Sequence, residues 1–135
     1  QTSIDSVPSP PSRSEMNEAT ESVREQIEYD LIVTEDGYDA GLVDEVVEQM
    51  VEVICSTKPN IRVAGENRSA DVVRSRLLEL NRFHVEFVLD CMRENTTPIR
   101  NIRAYLLTAL YNAPFSMGSY YAAKVRHDME RGDAL

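Results

Sequence analysis

The sequence has only two cysteines, Cys55 and Cys91, 36 positions apart. Neither has a cysteine or histidine partner close by, so they form no disulfide framework and no zinc motif. Both fall in apolar helical runs, which predicts reduced, buried thiols in a cytoplasmic protein. Histidine is as scarce. His84 opens an apolar run with no second ligand three or four residues away, and His127 sits near the C-terminus. Five glycines are too few for a phosphate-cradling loop, and no nucleophile-elbow, Walker or dinucleotide-binding pattern occurs. No apolar run approaches the ~20 residues that span a bilayer. The start has no basic-then-apolar leader pattern. These absences predict no metal, no cofactor and no membrane segment. The many carboxylates lie on solvated helix faces, so a non-enzymatic domain is expected.

What is present is acid. The net charge is −9, which argues against tight non-specific nucleic-acid binding by the whole piece. The charge is unevenly spread: residues 1–55 hold 14 acids against 2 bases, and residues 56–135 hold 9 against 12. Of the 14 bases, 12 are arginine, which favours fixed pairing with carboxylates or phosphates.

Residues 1–14, "QTSIDSVPSPPSRS", have the composition of an extended linker. They suggest a piece of a longer protein with a further domain upstream, and a helical domain over residues 15–135. Within it, apolar spacing predicts helices over 16–30, 39–56, 69–80, 82–95, 97–113 and from Ser116 onward. Asp39, Ser69, Asn81, Thr97 and Ser116 are the expected caps, with Pro98 at a first helical position and Pro114 as a stop. Leu80 and Val85 flank Asn81 as a hydrophobic staple. In the last helix Met117, Tyr121, Val125 and Met129 repeat every four residues. Residues 57–68 are not helical and form an irregular connection or a short hairpin. The fold class is all-α, a compact bundle of about six helices.

Two surface features remain. Asp44, Glu48 and Glu52 recur every four residues along one helix and repel one another by a few tenths of a kcal/mol per pair, so a basic group is expected opposite them. Further on, "ENTTPIRNIRAYLLTALYNAP" (94–114) places Arg100 and Arg103 at a helix start, where the backbone favours acids. Arg93, Arg100, Asn101 and Arg103, with Tyr120 and Tyr121, are the expected partner contacts, since arginine and tyrosine are favoured at interfaces and on single strands. For Arg100 and Arg103 the plainer role is an internal pair with Asp90, Glu94 or the acidic 39–56 helix. A helix-turn-helix over 71–95 is disfavoured, because Glu86, Asp90 and Glu94 would face phosphates.

The stretches "VREQIEYDLI", "VDEVVEQMVEVICS", "IRVAGENRSADVVRSRLLEL", "HVEFVLDCMRENTTPIRNIRAYLLTALYNAP" and "SYYAAKVRHDM" together resemble the C-terminal domain of RepA_N-type replication initiators of plasmids and conjugative elements of Firmicutes. The resemblance runs over residues 23–129. It implies a DnaD-like helical domain, joined by a linker to an upstream DNA-binding domain. It also implies recruitment of a host replication protein, primase or a helicase loader, to the origin. The alternative is a module that grips single-stranded or melted origin DNA through an Arg/Tyr face. Self-association, acidic helix on basic face, is a third reading.

Overall fold

The most thoroughly buried element is a helix with acid on its outer side. In a computed structural model, which describes residues 10–130, Asp39 caps a helix over Ala40–Ile54 by accepting from the Leu42 N–H. Val43, Val46, Met50, Val51 and Val53 on this helix are buried, as their spacing predicts. Around it stand helix α1 (Arg13–Ile27), with the Ala40–Ile54 helix taken as α2, then α3 (Ala70–Leu78), α4 (Arg82–Glu94) and α5 (Ile102–Glu130). A π-helical turn, Leu31–Glu35, leads to Gly37, whose φ of +74° turns the chain into α2. The class is all-α, with one small hairpin.

The α1 boundary differs from the expected one. Ser12 accepts from the Glu15 N–H, and the Glu15 carboxylate accepts from the Ser12 N–H, a reciprocal capping box. The box starts the helix at Arg13, three residues earlier than predicted, inside the expected linker. Residues 1–9 of that linker lie outside the described residues.

The irregular connection is a hairpin. Strand β1 (Asn60–Val63) pairs antiparallel with β2 (Glu66–Ser69), Val63 opposite Glu66. Ala64 and Gly65 form the two-residue turn, both at positive φ, 55° and 81°, the geometry that matches strand twist. Ser69 stands at the start of α3 but makes no side-chain cap bond. Gln26 closes the other end of α3, donating to the carbonyls of Leu77 and Leu80 at 2.9 and 2.8 Å.

Asn81 caps α4 as predicted, accepting from the N–H groups of Phe83 and His84. His84 Nδ1 accepts from the Asn81 N–H at 3.0 Å, so this histidine is a capping group. Leu80 and Val85 are both buried, consistent with the staple. Cys91 corrects an expectation: it is exposed, because the inward side of α4 is taken by Val85, Val88 and Leu89. Cys55 is half-buried at the end of α2.

The last two expected helices are one. Thr97 and Pro98 do not start a helix: the Asn95 side chain accepts from the Thr97 N–H and holds the segment in a turn. The helix starts four residues later, where Asn101 Oδ1 accepts from the Ala104 N–H. Pro114 does not stop it, and Ser116 caps nothing; the proline lies inside α5 on its exposed side. Its missing N–H removes one helical hydrogen bond. Leu106, Leu110 and Ala113 are buried before it. After it the predicted stripe is uncovered, with Tyr121 and Val125 exposed. The side chains of His127 and Met129 lie outside the described set.

Candidate interaction surface

The arginines find carboxylates inside the domain. Arg103, in the first turn of α5, forms a close ion pair with Glu52 and lies 3.9 Å from Glu48 on α2. Asp44, one turn before Glu48, accepts from the Tyr29 hydroxyl at 2.6 Å and stands 3.6 Å from Arg24. The Asp44 bond, burial and the carboxylate charge together raise the Tyr29 phenol above its ordinary value. The acidic face Asp44, Glu48 and Glu52 is thus met from within by Arg24 and Arg103. These groups are about half exposed, so each pair contributes under about 1 kcal/mol. That is enough to offset the few tenths that an arginine costs in a first helical turn.

Arg93 is also engaged. It donates to Asp90 at 2.7 Å, and its guanidinium lies 5.0 Å from the centre of the Tyr38 ring. Tyr38 donates to the same carboxylate oxygen at 2.7 Å. Burial, then this bond to Asp90, push the Tyr38 phenol up to about 12. Asn101 is spent as the α5 cap. Of the expected contact arginines, Arg100 alone is exposed with no carboxylate within ion-pair distance among the described residues.

Other arginines brace the fold in ways that sequence spacing did not reveal. Arg74 donates to the carbonyls of Ile54 and Ser56, closing the end of α2. Arg76 and Arg68 lie 4.1 and 5.2 Å from the centre of the buried Tyr111 ring.

Tyr120 and Tyr121 have a different environment. They are 49% and 52% exposed, beyond Pro114 on α5. The Tyr120 ring packs 5.7 Å from Phe87 of α4 and 5.3 Å from Tyr121, a row of three aromatic rings. Phe115 and Val125 on the same helix are 73% and 56% exposed, and Phe83 on α4 is also exposed. No acidic residue occurs between Pro114 and Arg126 in a chain with 23 acids. The sequence marked the two tyrosines. It placed Val125 in the four-residue stripe of the last helix and did not mark Phe83, Phe87 or Phe115.

No group of three or more metal-ligating side chains occurs among the described residues. No helix among them is long and apolar enough to cross a membrane. The chain belongs to a family of unknown function (DUF6017), whose profile matches residues 8–132. No curated protein and no solved structure matches it.

Proposed function

We propose that this chain is the helical adaptor domain of a replication initiator of a plasmid or conjugative element, and that it docks a host replication protein through the aromatic end of α5. The sequence resemblance over residues 23–129 supplies the biological setting. The observation that carries the docking role is the exposed pair Tyr120 and Tyr121 stacked out from Phe87, with Phe115 and Val125 also exposed on the same helix. A helix with so few charges and so much exposed apolar surface is ordinarily covered. Exposed rigid aromatics are typical anchors of protein interfaces. The mechanism is tethering: an upstream domain holds the origin, and this domain raises the local concentration of primase or a helicase loader there.

The competing reading, a grip on single-stranded DNA, draws on the same tyrosines and on the arginines. Arg93 and Arg103 are already paired with Asp90, Glu48 and Glu52, which leaves Arg100 as the main candidate phosphate contact of that set. This favours the protein partner. The test is a titration of the full chain with purified host primase, with helicase loader and with single-stranded DNA, beside Tyr120→Ala/Tyr121→Ala. The adaptor reading expects binding to one of the proteins, weakened about tenfold or more by the double substitution. Steeply salt-dependent DNA binding, lost in Arg100→Glu and with neither protein bound, would replace it with the competing reading.

A further inference from the structure

A second, separate surface lies on the hairpin side of the domain. The two-residue turn makes Val63 and Glu66 a hydrogen-bonded pair, so Ile61 and Arg68 form the next one. The Pro59 carbonyl accepting from the Ala70 N–H continues the same alternation. Asn60 and Arg62 then fall at the non-bonded positions, and their N–H and C=O groups point away from β2. None of these four groups has a backbone partner among the described residues. The sheet has two strands only, so this edge of β1 is open.

Asn60, Ile61 and Arg62 also line a groove of about 460 Å³. Its apolar walls include Met16, Val53 and Leu107. Gln49 of α2 lines it too and is the one buried polar side chain among the described residues, at 7% exposure. Lys58 and Arg62 also border the groove, with no carboxylate within ion-pair distance among the described residues. The one acid on the lining, Glu52, is occupied by Arg103.

We infer that this groove binds an extended peptide segment of a partner protein, of alternating apolar and acidic character, added as a strand to the open edge of β1. The edge supplies backbone donors and acceptors at every second residue, the repeat of an extended chain. The Gln49 carboxamide offers both a donor and an acceptor to one peptide unit. The walls take the apolar side chains, and Lys58 and Arg62 meet the carboxylates. The inference does not depend on the aromatic end of α5.

The test uses the full chain and a fluorescein-labelled hexapeptide of alternating valine and glutamate. An N-methylated copy, which cannot donate from its pairing edge, is the control. Saturable binding is expected, with shifts in the amide resonances of Asn60 and Arg62, and roughly tenfold or more loss for the N-methylated copy. Arg62→Pro removes an outward N–H and a charge without touching a bond to β2, and should weaken binding to a similar degree. Gln49→Leu serves as the second variant if the proline disturbs folding, and should also weaken it. Absence of binding, equal binding of the N-methylated copy or of a valine–lysine peptide, or shifts confined to Tyr120 and Tyr121 would overturn the inference. So would binding seen only after residues 1–9 are deleted, or a concentration-dependent dimer abolished by Arg62→Pro, since each names a different occupant.

Discussion

The body around α2 and the end of α5 are both helical, yet they are held in opposite ways. Around α2 nearly every group has a partner: valines meet leucines, Asp44 meets Tyr29 and Arg24, and Arg103 meets Glu48 and Glu52. Past Pro114 the helix continues with its aromatic side chains mostly in solvent and one row of rings against α4. Helix formation and burial are therefore separable in this chain. Most of the described side chains of residues 115–126 are exposed although the helix continues through them.

The contrast breaks most visibly by truncating side chains. Leu110→Ala, in the fully buried stretch of α5, should cost about 2–5 kcal/mol in a denaturant titration. Tyr121→Ala, eleven positions on, should stay within about 0.5 kcal/mol. Comparable losses at the two sites would mean that the end of α5 is as well covered as its middle. Pro114→Ala restores a helical hydrogen bond at an exposed position, so amide exchange past residue 114 should slow; faster exchange would show that the proline is needed for the continuation.

A smaller effect belongs to the α4 cap. Asn81→Ala removes the acceptor for two N–H groups and the partner of His84, and should cost about 1 kcal/mol. An unchanged midpoint would mean that the capping box contributes nothing. Arg103→Ala should change stability least, by no more than about 0.5 kcal/mol, since its pairs are half exposed; a larger loss would make the α2–α5 ion pairs a main support.

Acid and base should separate two groups on α4. Burial lowers the His84 imidazole below its ordinary 6.5. Its folded-state value is thus depressed. The stability it contributes is present above 6.5 and is lost as pH falls through the folded value. Glu86 runs the other way: burial first, then the neighbouring Asp36 carboxyl, raise it from 4.5 to about 7. Its contribution is present below 4.5 and is lost as pH rises through about 7. Glu86→Gln should therefore gain stability relative to the parent on going from pH 5 to pH 8. A constant difference across that range would rule out the raised carboxyl.

Local chemistry was legible wherever a residue acts on its own neighbours. The α2 stripe Val43–Val46–Met50–Val53, the Asp39 and Asn81 caps and the Leu80–Val85 flank of α4 follow from spacing alone, because a helix repeats every 3.6 residues. The Ser12–Glu15 box was equally local, but the Pro/Ser composition of residues 1–14 masked it. Arg103 illustrates the opposite limit. Its charge and odd position were visible, but its partners lie about 50 residues away, and only the packing of α5 on α2 brings them together.

By itself, the sequence determined that this protein is helical and acidic on α2, and that it has no metal motif. Those properties depend on periodicity, composition and side-chain chemistry within a few residues. Tertiary structure decided which apolar stripes are covered. Met50 and Tyr121 each lie on a four-residue apolar stripe, but Met50 is fully buried and Tyr121 about half exposed. It also set the hairpin within residues 57–68 with its β1 edge beside the groove lined by Gln49. Coverage depends on which helix lies across which, and no repeat along one helix carries that information.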